Sequence, residues 1–263
     1  MAGKAKLKPD ISSLGGLVLA AVGIVGGLLL EGGELRDITQ VTAAIIVLGG
    51  TLGAVMITTP MHVLMGAAGR LKEVFFESPL AMQAVVEQLV DFATKARKGG
   101  IVALEREVDM VSDPFFKKAV TLAVDGTDIQ ELRKMLEIDM AVEEHHGEAE
   151  AKVFENAGGY SPTIGIIGAV MGLIQVMKNL SDIDKVGHGI AVSFVATVYG
   201  VAVANVFFLP AANKIKARIQ QHTEMKEAIL EGMVGIVEGL NPKIIQSKLD
   251  AFVPKHPKGK AKK

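Results

Sequence analysis

Residues 161–177 read SPTIGIIGAVMGLIQVM, and residues 189–210 read GIAVSFVATVYGVAVANVFFLP. Neither stretch contains Asp, Glu, Lys, Arg or His. Seventeen helical residues rise about 26 Å, close to the hydrocarbon thickness of a bilayer once flanking residues help. Two more uncharged stretches, 14–30 and 41–60, lie near the N-terminus. Core helices of water-soluble proteins are usually shorter and carry a polar stripe. Four spans are therefore expected. The fold class is an all-α polytopic membrane protein with four transmembrane helices and a helical cytoplasmic insertion between spans two and three.

Composition agrees. Of 263 residues, 49% are hydrophobic and 22% charged, with the charge kept out of the apolar runs. There is no Cys, which excludes disulfides, thiol catalysis and Cys-held zinc. A net charge of −1 gives the whole chain no pull on nucleic acid. No Trp and only 2 Tyr leave little for base stacking.

Lys4, Lys6 and Lys8 before the first run resemble a signal-peptide n-region, and Ala21-Val22-Gly23 a weak cleavage site. The run continues past that site and three more spans follow, so it reads as a retained helix. All of the 28 Lys and Arg except Arg36, Lys178 and Lys185 precede span one, lie in 61–160, or follow span four. The positive-inside rule then puts both termini and the long insertion in the cytoplasm.

The expected organisation is 1–60 for the first two spans, 61–160 for a helical cytoplasmic domain, 161–210 for spans three and four, 211–253 for a helical extension and 254–263 for a disordered tail. In the insertion, Ser78-Pro79 is expected to start a helix that carries Val85, Val86, Leu89, Val90 and Phe92 and stops at Gly99-Gly100. A short helix over 101–111 follows, then one from Asp113-Pro114 to Asp125-Gly126. Thr127-Asp128-Ile129-Gln130 matches a capping box. The helix it opens is expected to end at Asn156-Ala157-Gly158-Gly159, just before span three. After span four the pattern stays helical to about Gly239, and Asn241-Pro242 breaks it. The tail, with five Lys and two Pro, reads as a solvated terminus ahead of a contact with anionic lipid headgroups.

No catalytic motif is present: no Gly-x-Ser-x-Gly, no phosphate-binding Gly-x4-Gly-Lys, no His-Glu-x-x-His. Glu143, Glu144, His145, His146 and Glu148 cluster on one helix, but such metal sites need a second motif facing the first. They read as a solvated face, so no enzyme activity, metal or cofactor is expected. Gly23 and Gly27, Gly49 and Gly53, and Gly168 and Gly172 each recur at the four-residue spacing that lets helices approach closely; Gly is also simply common in spans. The last two runs carry hydroxyls, among them Thr163, Ser193, Thr197 and Tyr199, and two prolines, Pro162 and Pro210, able to bend a helix or merely to mark its end. An ion-conducting role would need its titrating group from another chain.

The stretches GYSPTIGIIGAVMGLI (159–174), GIAVSFVATVYG (189–200) and FFLPAANK (207–214), with ARKGGIVALE (96–105), resemble the A subunit of the bacterial flagellar motor stator, the MotA/PomA family. The resemblance covers nearly the whole chain except its Lys-rich tail. It implies five copies around two single-span B subunits, each B subunit bringing the membrane Asp that binds the ion. Ion flow would turn the A ring, whose heads push the rotor switch protein FliG. Arg97 and Glu105 match the family's charged rotor contacts, although two exposed charges eight residues apart are ordinary on any helix surface. Pro162 and Pro210 match its functional prolines, and Thr197 a hydroxyl on the ion path. Sodium-type relatives place Thr where this chain has Ala169 and Ala196, so the resemblance implies protons. Two other readings stay open: an ExbB/TolQ-like proton channel subunit, which would have three spans and lack the 96–105 segment, and a non-conducting membrane scaffold.

Overall fold

The computed structural model describes residues 8–77 and 82–253. The described residues form two compact units, one of 8–77 with His146–Arg218, the other of 82–145 and 219–253. The division does not follow chain order, because two long helices each contribute residues to both.

The first unit holds the apolar runs. Strand β1 (Lys8–Pro9) leads into α1 (Ile11–Leu30), whose first turn is closed by Asp10: its carboxylate accepts the Ser13 backbone N–H at 3.0 Å. No residue of α1 is buried. A 3₁₀ turn at Leu35–Ile38 precedes span two, which consists of α2 (Val41–Ala44), a π turn at Ile45–Gly49 and α3 (Gly50–Thr58). Pro60 then starts α4 (Met61–Phe75), which ends in β2 (Phe76–Glu77). β1 and β2 pair antiparallel, Lys8 opposite Glu77 and Pro9 opposite Phe76. Two-residue strands carry no readable alternation, and the sequence gives no sign of them.

Span three is the end of α7 (Ile129–Lys178). Span four comprises α8 (Ile183–Val203) and a π turn at Ala204–Phe208, and its helix continues as α9 (Leu209–Val237). The four candidate spans have mean hydropathies from 1.5 to 2.3. The π turn sits just before Pro210 for a physical reason. Proline lacks the N–H that would bond the residue-206 carbonyl, and its ring crowds that carbonyl. Widening the preceding turn relieves the crowding, and the Leu209 N–H accordingly reaches back five residues to Ala204.

The second unit is a helical head. It contains α5 (Met82–Gly99), a 3₁₀ helix at Ile101–Met110, α6 (Pro114–Val124), the start of α7, the end of α9 and α10 (Pro242–Leu249). Its core is built on Leu89, Phe92, Leu104, Phe116, Leu132, Ile229 and Met233, all at most 1% exposed. The Phe92 and Phe116 rings lie 5.5 Å apart. Gly100 turns the chain at φ 79°, a conformation only glycine adopts freely. Asn241 caps α10 with Pro242 in its first turn.

One local expectation is made specific and two are corrected. The 101–111 segment is a 3₁₀ helix: Ile101 and Leu104 face the core at a three-residue spacing. α7 is started by Asp128 rather than Thr127, its carboxylate accepting the Gln130 N–H at 2.9 Å and its carbonyl the Leu132 N–H at 2.8 Å. α7 also does not stop at Asn156–Gly159. Ala157 is buried, and Gly158 is pressed against Leu209, where an added Cβ would meet Cδ2 at 2.6 Å. Packing there outweighs the roughly 1 kcal/mol that a mid-helix glycine costs. The expected N-cap at Ser78-Pro79 and the 254–263 tail lie outside the described residues.

Candidate functional site: the seam between spans three and four

α7 and α8 meet along small residues. A Cβ at Gly165 would lie 2.8 Å from the Ala196 carbonyl oxygen and 3.4 Å from the Thr197 Cα. One at Gly200 would lie 2.5 Å from the Ser161 carbonyl oxygen and 3.2 Å from the Pro162 Cα. Gly168 against Ala196, and Gly172 against Ser193 and Gly189, extend the contact toward the other end of the spans. Without a hydrophobic drive between helices in lipid, such close backbone approach is what holds spans together. Of the three glycine pairs read from the sequence, Gly168 and Gly172 belong to this seam. Gly23, Gly27, Gly49 and Gly53 have nothing within 4 Å where a Cβ would stand.

Span two covers one side of the seam. Ala43 and Val47 pack on Val195 and Ala196, with Tyr199 and Val203 against them. Ala196 is thus fully enclosed, by Gly168 on one side and span two on the other. Ala169 and Thr197 are half-buried, and Thr163 is exposed. The hydroxyls of Thr163 and Thr197 donate back to their own helices, to the Tyr160 carbonyl at 2.8 Å and the Ser193 carbonyl at 3.2 Å. The seam therefore gathers Pro162, Ala196 and Thr197.

Tyr199 turns toward span two. Its hydroxyl donates to the Ile38 carbonyl at 2.5 Å and accepts the Gln40 N–H at 3.3 Å, closing the turn that precedes that span. Tyr199→Phe removes both bonds at a part-buried site. A loss of about 1–3 kcal/mol is expected, read as a lower unfolding temperature of the detergent-solubilised protein with its helical content unchanged.

Pro162 lies inside the unbroken α7, half-buried; Pro210 is exposed in the first turn of α9. Arg97 and Glu105 lie in the head, both exposed, on either side of the Gly100 turn. Neither makes an ion pair among the described residues, unlike Lys95 nearby, which holds Asp91 at 2.8 Å and Glu107 at 2.9 Å. Glu143 pairs with Lys226 at 2.5 Å, and among the described residues no three His, Asp or Glu side chains converge as metal ligands.

Residues 107–228 match the profile of the MotA/TolQ/ExbB proton channel family, and residues 14–100 that of the motility protein A N-terminal region. Motility protein A of Bacillus subtilis (strain 168) is 32% identical over 246 residues, covering 93% of this chain and 91% of the relative. The chain belongs to the motility protein A family. Two solved structures agree with that membership. The structure of C. jejuni MotAB superposes with a TM-score of 0.91 at 32% identity, covering 94% of this chain and 98% of that one. The flagellar MotAB stator complex from Bacillus subtilis superposes at 0.87 and 32% identity, covering 93% and 96%. Motility protein A members are membrane subunits of the flagellar stator, not enzymes, and this chain is an all-α membrane protein of that kind.

One cluster is not legible in the sequence: Asp10 with Lys214 and Arg218, the last also pairing with Glu77. Asp10-Ile11-Ser12-Ser13 before an apolar run is a readable N-cap signal. Nothing in the sequence joins it to residues some 200 positions later.

Proposed function

We propose that this chain is the ion-conducting, torque-generating A subunit of a flagellar motor stator in the bacterial cytoplasmic membrane, with both termini cytoplasmic. The observation that carries this reading is the seam itself: two closely packed spans with hydroxyls and small residues but no Asp, Glu, Lys, Arg or His over 161–177 and 189–210. Ion translocation across a bilayer needs a titrating or coordinating group at depth. That group would be the Asp of a single-span B subunit, two copies of which stand inside a ring of five A chains. The solved relatives bear names that pair an A with a B protein.

The ion is a proton. Sodium requires several oxygen ligands to replace its water. Ala169 and Ala196 offer none, and Thr197 is left as the oxygen on the path. Pro162 and Pro210 are the bending points that convert protonation of the partner carboxylate into movement. The head bears Arg97 and Glu105, which press on the rotor switch protein FliG.

Reconstitution tests this directly. Liposomes holding the A chain alone should pass no more protons than empty ones. Liposomes holding A with an unplugged B subunit should dissipate an imposed proton gradient equally in sodium-free and sodium-containing buffer. Flux through the A chain alone would sink the proposal, and flux that stops without sodium would overturn the choice of ion.

A further inference from the structure

Asp10 is 2% exposed, the one fully buried charged side chain among the described residues of the membrane unit. Its two oxygens are divided between two elements. Oδ1 accepts from the Ser12 hydroxyl at 2.6 Å and the Ser13 N–H at 3.0 Å, closing the first turn of α1. Oδ2 accepts from Lys214 Nζ at 2.6 Å and an Arg218 guanidinium nitrogen at 2.7 Å. Lys214 and Arg218 are four residues apart, hence on one face of α9. They occupy the turns directly after Pro210.

The same knot ties in the strand pair. The Asp10 N–H donates to the Phe75 carbonyl at 2.8 Å, and Arg218 also reaches Glu77 of β2 at 3.0 Å. Burial opposes ionisation of Asp10, but the bonds from Lys214, Ser12 and Ser13 outweigh it and hold the carboxyl well below the usual carboxylate range. A depressed carboxyl keeps its contribution above its ordinary pKa and loses it only as pH falls through the lowered value. The knot is therefore charged throughout the neutral and mildly acidic range.

Span one has little else to hold it. None of its residues is buried, and among the described residues it lies against α4, the 3₁₀ turn at Leu35–Ile38 and the π turn before Pro210, with Ser12 also meeting Lys214 of α9 at 3.3 Å. Beside the knot lies a cavity of about 600 Å³ lined by Ser13, Leu17, Phe75, Val206, Pro210 and Lys214. A cavity thus opens between α1 and the start of α9 beside the polar knot that joins them.

We propose that Asp10 is a positioning residue for torque generation, locking the start of span one to the turns of α9 below Pro210, so that displacement of those turns carries span one with them. The torque part rests on the stator reading above; the lock does not.

The absence of native Cys allows site-directed spin labels. Labels at Leu19→Cys and Asn213→Cys, both exposed, in A chains diluted with unlabelled A chains in the B-subunit complex, report the distance from span one to α9. The unsubstituted complex and Asp10→Glu should give one narrow distance. Asp10→Asn, which keeps the cap and the side-chain size, should add a second, longer distance, as should Lys214→Gln with Arg218→Gln. An unchanged distribution in Asp10→Asn would overturn the lock. In single-motor bead assays Asp10→Asn should lower torque per stator unit with the number of units per motor retained. Unchanged torque per unit, with or without fewer units, would reduce Asp10 to a structural role. If the unsubstituted chain drives no rotation, the stator reading fails while the distances still decide the lock.

Discussion

Cells whose only copy carries Gly200→Val should not swim, and the protein should be depleted from the membrane fraction. A Cβ at Gly200 meets the Ser161 carbonyl oxygen at 2.5 Å, with the Gly165 Cα at 3.1 Å and the Pro162 Cα at 3.2 Å. All three are backbone, so no side-chain rotation relieves the clash. The two spans must separate, which also strips contacts from Ala196 and Thr197. The expected cost is about 3 kcal/mol or more, at the upper end for overpacked interiors, and a substantial fraction of the stability of an ordinary domain. Gly23→Ala serves as the control: nothing lies within 4 Å of its Cβ position, so membrane levels and helix content should match the unsubstituted protein. Normal swimming with Gly200→Val would mean that spans three and four do not pack through this seam.

Reversal of Arg97 should have the second largest effect, and for the opposite reason: it should abolish rotation without touching stability. Arg97 is exposed and makes no ion pair among the described residues, so Arg97→Glu breaks nothing within the head. Its unfolding temperature should stay within error of the unsubstituted protein. Against a rotor surface the effect is electrostatic and screened over about 8 Å at physiological salt. Single exposed pairs are individually weak, so Arg97→Ala and Glu105→Gln should each slow swimming only partly. On the proposed rotor contact, Arg97→Glu turns attraction into repulsion and should stop swimming, and a matching charge reversal on the rotor protein should restore motion. Arg97→Glu cells that swim normally would show the rotor contact to be elsewhere on the head.

Elements and side chains were legible in the sequence to different degrees. The spans could be read from hydropathy alone, since a bilayer demands about 20 apolar residues whatever they pack against. The ends of α5 and α6 were also legible. Gly100 and Asp113-Pro114 act on the residues beside them, and the structure places a φ of 79° and an N-cap there. Arg97 and Glu105 could be singled out only through a family motif, because their exposure gives them no physical signature of their own. α7 shows where local reading fails. Asn156-Ala157-Gly158-Gly159 has the chemistry of a helix end, yet the helix runs through it because Leu209, distant in sequence, needs the space beside Gly158.

By itself, then, the sequence determined what depends on neighbours along the chain: four spans, helical segments between and after them, and the lack of an ionisable group in the last two spans. Tertiary structure alone decided which glycines are seam and which face open space, since both kinds share one spacing. It also decided that Tyr199 closes the turn at Ile38 and that the Asp10 cap is at the same time the counter-ion of Lys214 and Arg218. Spacing along a helix tells which residues share a face, but not what that face meets. A buried carboxylate is held by whatever cations the fold brings within about 3 Å, and that meeting is a property of the folded chain.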